Sequence, residues 1–333
     1  MYRLFPVIFI LGIILFSGCA QKVMIKALEP AEVNRAAITK KISVTPFKND
    51  RIGFANKLEG KLANQFLDGK PYFTVVSKGD FERLVAEQRR QYSGLLDENQ
   101  AVELGNLLGA QALISGSITS DSLQDTRFYE KRVECVDKKC TEQREYQVAC
   151  TKRVIGLGVQ IKMVDVERGD IIYGDTLQGE GAWEHCSDDK RVLPSKAQGM
   201  DYLSDSLVKD FVYKLTPHYV YFRVALLEDP DMEYTEQQEM LLENALAFID
   251  HNRLDRGETL LQELFIQTGG MSYVAAYNLG VVREAQGQYD DAKRYYEIAD
   301  GLAMAPVEEI NIAINRIEAS IRKRKLALEQ IKK

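Results

Sequence analysis

The chain has 333 residues, 45% of them apolar, which is enough for two packed domains and their cores. Its formal net charge of −6 and pI near 5.4 argue against nucleic acid as a partner, because phosphate binding depends on clustered Lys and Arg. One apolar run opens the chain, and no second long one follows it.

That run extends from Leu4 to Phe16 behind Arg3, with the make-up of a secretory signal and too short to span a bilayer comfortably. It ends in Leu15-Phe16-Ser17-Gly18-Cys19, which resembles a bacterial lipobox. The resemblance implies cleavage after Gly18 and lipid on Cys19. An ordinary signal peptide with an incidental cysteine is the alternative. Acyl chains buried at about 0.8 kcal/mol per methylene would make the anchor effectively permanent. Ala20 and Gln21, rather than Asp, follow the cysteine, which in enteric-type sorting favours the outer membrane.

Residues 19–38 read as a tether, and the body starts near Lys41. Ile42 to Phe47 alternates as a one-faced strand should. Phe54, Leu58, Leu62 and Phe66 define an amphipathic helix ended near Gly69 and Pro71. Tyr72–Val76 is a second short strand. Asp80 caps a helix carrying Phe81, Leu84, Val85 and Gln88, and Asp97 caps another carrying Ala101, Leu104, Leu107 and Leu108. Ala112–Ile118 is a core strand. Val154–Val166 and Ile171–Gly179 form a hairpin around Gly169, and a helix through Met200, Leu203, Leu207, Phe211 and Leu215 stops at Pro217. This order predicts an α/β domain over 39–220, a layered sheet with flanking helices.

Four of these segments, Ile42–Phe47, Tyr72–Ser77, Phe81–Gln88 and above all Gly105–Ile118, resemble the curli secretion-channel (CsgG-type) lipoproteins, as does the hairpin ending Val164–Gly169. The resemblance covers roughly residues 38–218 and includes the lipid cysteine. It implies a lipid-anchored, periplasm-facing subunit of a ring; the best-known type builds a β-barrel pore from two hairpins per subunit. Inserts at about 125–153 and 182–195 stand where such hairpins would lie. A lipid-facing strand needs about 9 to 11 residues, apolar at every second position. Arg132, Glu134, Arg144 and Glu145 break that pattern in the first insert, and the second is short and charged. The expectation is therefore the family's core without its transmembrane barrel.

With Cys19 assigned to lipid, Cys135, Cys140, Cys150 and Cys186 form an even set, as an exported protein's disulfides would. Cys135 and Cys140 flank four residues, a spacing that sets them opposite one another across a hairpin turn, and Cys150 and Cys186 lie at the edges of the inserts. Four cysteines allow three pairings, and free thiols remain an alternative. A zinc site from Cys135, Cys140, Cys150 and either Cys186 or His185 lacks paired CxxC spacing, so no metal is assigned.

From Asp231 the periodicity is helical. Leu279, Gly280, Tyr289, Ala292, Tyr296 and Ala299 resemble a tetratricopeptide repeat, in which small residues let two antiparallel helices pack closely. About 35 residues earlier, Ala245, Leu254, Gly257, Leu261 and Leu264 occupy matching places. An all-α helical-repeat domain over 231–330 is expected, capped by a helix from Pro306 to Gln330. Tyr277, Tyr289, Tyr295 and Tyr296 serve either core packing or a concave surface for an extended peptide. The basic run Arg322–Lys325 reads as a solvated face.

Three scattered histidines, His185, His218 and His251, with no GxSxG, HExxH or phosphate loop, give no catalytic constellation. Nor is any cofactor implied. The sequence points to an outer-membrane-anchored periplasmic scaffold or assembly component in export or surface-structure biogenesis. Its expected partners are the membrane, through the lipid, and envelope proteins, through the repeats; a homo-oligomeric ring remains open. A secretion-pore subunit is the alternative, with a periplasmic enzyme third.

Overall fold

The computed structural model describes residues 21–76, Gly79 and 95–332. Cys19 and the helix expected after Asp80 lie outside them. Two compact units divide the chain: an α/β unit of Leu28–His218 with Lys323–Lys333, and a repeat unit joining Tyr219–Arg322 to the described residues up to Ala27.

The α/β unit is built on a five-stranded sheet ordered β5-β2-β6-β7-β8, from β2 (Lys41–Val44), β5 (Thr74–Val76), β6 (Ala112–Cys135), β7 (Gln143–Asp165) and β8 (Ile171–Cys186). β2 runs parallel to both β5 and β6, whereas β6, β7 and β8 are antiparallel neighbours. A two-residue pair, β3 (Phe66–Leu67) and β4 (Lys70–Pro71), forms a small hairpin beside it.

The sheet carries a core on each face. Phe54, Leu58 and Leu62 of α2 (Phe54–Ala63) and Met200, Leu203, Leu207 and Phe211 of α4 (Lys196–Leu215) pack on Ile42, Ile114, Ile155 and Met163. Leu104 and Leu108 of α3 (Glu98–Leu108) cluster with Leu113, Val164 and Val166. Spacing along these helices puts every third or fourth residue toward the sheet, so the amphipathic pattern dictates the layers. Capping boxes fix the starts of α3 and α4, Asp97 with Gln100 and Ser195 with Gln198, and Gly109 ends α3 in the left-handed region at φ 61°. Gly105 lets α3 approach the sheet closely, since a Cβ there would lie 2.2 Å from the Val166 side chain.

Three expectations need correction. The segment read as a tether is structured: Lys22–Glu29 forms β1 and Asn34–Ile38 forms α1. Val23, Ile25 and Ala27 alternate with exposed residues in β1, which pairs with β9 (His218–Ala225), a strand not anticipated after Pro217. The hairpin strands are also longer than expected. β6 has 24 residues and β7 has 23, so the first insert continues the ladder, and β8 runs on to Cys186 before the second.

The repeat unit contains α5 (Glu236–Asp250), α6 (Leu254–Gln267), α7 (Tyr273–Ala285) and α8 (Tyr289–Leu302), followed by α9 (Glu308–Lys332). α9 starts in this unit and its last residues belong to the α/β unit. The two helix pairs repeat at 35 residues: Asp250 and Ala285 end their first helices, Leu254 and Tyr289 start the second, and Gln267 and Leu302 end them.

Candidate functional site

Two regions stand out: the hairpin arm formed by the distal parts of β6 and β7, and the packed repeat helices. β8 accompanies β7 only as far as the register pair Cys150–Cys186, and the remaining ladder runs two-stranded to the Cys135–Gln143 pair. Disulfides join Cys135 to Cys140 at its tip and Cys150 to Cys186 at its root. The root bridge is buried with Val148 and lies against Phe128 and Tyr146, forming a small apolar cluster at the base of an otherwise polar arm. With both thiols of each pair bonded, neither the sequence-level zinc set nor the grouping of Cys150 and Cys186 beside Glu130 offers free thiolates to a metal.

Ion pairs line both faces of the arm and of the ladder just below its root. On one face Arg144 pairs with Glu134 across the ladder, Arg132 with Glu130 and, at 3.7 Å, Asp188, and Lys152 with Glu184 at 3.4 Å. On the other, Arg153 holds Asp125 through two hydrogen bonds of 2.8 and 2.6 Å, and Lys131 lies 3.9 Å from Glu145. The Arg153 guanidinium beside Asp125 holds its carboxyl below the usual carboxylate range. Neither face presents an apolar band, though single residues such as Tyr129, 74% exposed, do stand out.

The repeat residues singled out from sequence share one core. Leu279, Gly280, Tyr289, Ala292, Tyr296 and Ala299 are all buried. A Cβ on Gly280 would lie 2.5 Å from the Tyr296 ring, and one on Gly257 would lie 2.4 Å from Ile249, so small residues do permit the close helix approach. Among the tyrosines, Tyr277 and Tyr296 pack at 5.7 Å between ring centroids, deep in the core.

The stretch from Val224 to Asp231 packs on the repeat helices. Asn278 on α7 accepts from the Leu227 N–H at 2.9 Å and donates to the Leu227 carbonyl at 2.8 Å, while the Tyr277 hydroxyl donates to the Ala225 carbonyl. Asp231 accepts from the Ser272 hydroxyl and the Tyr273 N–H. Val224 and Leu226 are buried among the repeat helices. Sequence reading missed Asn278 and also Glu284, a buried carboxylate bound by Arg316 and the Tyr296 hydroxyl. The signal was present: both are polar residues within an apolar helix.

The histidines do not assemble a site. His185 lies at the arm's root with its Nδ1 buried and without a hydrogen-bond partner, His218 Nδ1 contacts the Thr216 carbonyl, and His251 Nδ1 contacts the Ala247 carbonyl in the other unit. Asp189 accepts from the Cys186 N–H, and Asp290 and Asp291 sit in the first turn of α8, where acids favour the helix dipole. No helix among the described residues is long and apolar enough to cross a membrane.

These features define a class: a mixed-sheet α/β unit bearing a charged hairpin arm, combined with paired-helix repeats. Residues 39–188 match the family of the curli production assembly/transport component CsgG, and this part of the chain is of the CsgG type. Among solved structures, the hypothetical protein CT253 from Chlamydia trachomatis is 14% identical, with 52% of this chain and 94% of that one covered at a TM-score of 0.27. The NMR structure of E. coli LpoB is 13% identical, with 48% and 71% covered at a TM-score of 0.25. Likenesses this slight carry no conclusion. No curated protein matches the chain significantly in sequence.

Proposed function

We propose that the chain is a lipid-anchored scaffold of the bacterial outer membrane, facing the periplasm, that serves export or surface-structure assembly without forming a pore. The observation that carries this reading is the distribution of charge on the arm. A barrel strand needs one apolar face, yet Arg132, Glu134 and Arg144 occupy one side and Lys131 and Glu145 the other, with Asp125 and Arg153 continuing that second side below the root. Each Lys or Arg on a lipid-facing midplane would cost about 2–4 kcal/mol. A match to an assembly/transport component supports the assembly role, and the Cys19 motif supports the anchor.

The arm's length favours one second reading, a secretion-pore subunit, since the paired residues from Ser120 to Cys135 all extend past the β2 contacts. Two measurements separate them. Cys19→Ser should make the whole body extractable from membranes by carbonate or high salt, and the purified protein should give no single-channel conductance in planar bilayers. Carbonate-resistant membrane association of Cys19→Ser, or defined conductance steps, would establish the pore instead.

A further inference from the structure

The β1–β9 ribbon presents an outward face whose chemistry the scaffold reading leaves unused. Lys26 Nζ lies 3.8 Å above the Tyr219 ring near one end, and the Leu226 N–H donates to the Gln21 carbonyl at the other, so the strands run antiparallel. Alternation buries Val23 and Ile25 in the repeat core and turns Lys22, Met24 and Lys26 outward. Tyr219, Tyr221 and Arg223 share that face from β9. Tyr221 is 63% exposed and Met24 49%. Six residues thus combine three cations, two tyrosines and a methionine with no acid.

Next to this face, Lys22, Met24 and Arg223 line an open cavity of about 560 Å³ with Asp250, Asn252 and Leu254. Among the described residues, Asp250 is the one acid on its wall. The nearby Glu228 is engaged with the Gln21 N–H.

We infer that this face is a membrane-contact surface that seats the repeat unit on anionic phospholipid headgroups. The inference rests on the lipid anchor proposed above, because position supplies its second support. Only Ala20 and Gln21 separate Cys19 from Lys22, a reach of at most about 11 Å over three chain steps. A lipid on Cys19 therefore brings the ribbon to the headgroup layer, where Lys and Arg meet phosphates and tyrosine rings bridge apolar and polar zones. Aromatic and basic residues are what an interfacial surface uses.

The test uses the full lipidated chain reconstituted in phosphatidylcholine vesicles with or without 30% phosphatidylglycerol. With the chain's one tryptophan, Trp183, changed to Phe, Tyr221→Trp should be quenched by brominated lipid, more strongly with phosphatidylglycerol present, while Met304→Trp at a fully exposed site on the repeats is not. Each cation near an anionic surface is worth about fivefold in partitioning, so Lys22→Gln with Lys26→Gln and Arg223→Gln should cut the anionic-lipid-dependent component about 100-fold. High salt should weaken it in the unchanged sequence, a readout independent of any variant's folding. Equal quenching at positions 221 and 304, or no dependence on salt and lipid charge, overturns the inference. Mass spectrometry of the amino-terminal peptide reports the anchor separately. If Cys19 proves unlipidated, salt-sensitive flotation of the chain with anionic vesicles still supports the contact surface, and its absence overturns it.

Discussion

Arg316 grips Glu284 through two hydrogen bonds, 3.0 Å from Nε and 2.8 Å from Nη2, and the carboxylate it holds has no solvent exposure. The Tyr296 hydroxyl donates to the same carboxylate at 2.6 Å. Burial opposes the charge on Arg316, but contact with Glu284 outweighs it and keeps the guanidinium's pKa above its ordinary value. Arg316→Met should therefore cost about 3–5 kcal/mol, because it strands a buried anion. Adding Glu284→Gln should recover part of the loss. Urea denaturation followed by helicity reads both, and a single variant within about 1 kcal/mol of the parent would refute the argument.

Two glycines in adjacent helices should respond with opposite signs. Gly280→Ala drives a Cβ into the Tyr296 ring and should destabilise the repeat unit by about 1–3 kcal/mol. Gly301, near the end of α8, faces open space, with nothing within 4 Å of where a Cβ would stand. There Gly301→Ala should stabilise by up to about 1 kcal/mol through helix propensity and unfolded-chain entropy. Thermal unfolding midpoints of the two variants should move in opposite directions.

The two disulfides close loops of unequal size, with partners 36 residues apart at the root and 5 apart at the tip. Chain entropy alone gives about 4 kcal/mol for the longer loop against about 2 for the shorter. The pair Cys150→Ala/Cys186→Ala should thus lower stability more than Cys135→Ala/Cys140→Ala. Equal losses on denaturation would show that loop entropy is not the main contribution.

Burial pushes the Lys40 ammonium down to about 8, although its Nζ donates to the Ala37 and Gln330 carbonyls and lies 3.7 Å above the Tyr72 ring, contacts that favour the charge. Between pH 8 and the ordinary lysine value, the unfolded chain holds a proton that the folded chain has shed, so stability rises with pH across that window. Tyr72 is shifted upward by burial, so the stability it contributes is intact below the ordinary tyrosine value near 10 and declines progressively above it. The stability difference between the parent and Lys40→Met should change from about pH 7 to 10 in the parent's favour. A pH-independent difference would rule out this shift.

The helices of the repeat unit could be read directly, because Leu261, Leu264, Tyr296 and Ala299 fall on a stripe of about 3.6-residue period that packing preserves. β1 was harder. Its alternation from Val23 to Ala27 was visible, but its partner lies about 200 residues away in β9, and no local signal announces so distant a pairing. The arm was obscure for a different reason: with ions on both faces, Glu130 to Glu134 and Arg144 to Gln147 have no hydrophobic period to declare a strand, and only the ladder reveals it. Asn278 was hidden because a polar residue inside an apolar helix says that a partner exists without saying which.

Gln330, near the end of α9, is fully buried in the α/β unit. Its side chain accepts from the Ala31 N–H at 2.9 Å and donates to the Ala31 carbonyl and to Asn34 Oδ1, partners 299 and 296 positions earlier in the chain. The opening stretch of that unit is therefore completed only after every repeat helix has been synthesised. A nascent chain keeps this seam open until Gln330 has emerged, so the α/β unit closes only after the repeat helices have had time to form.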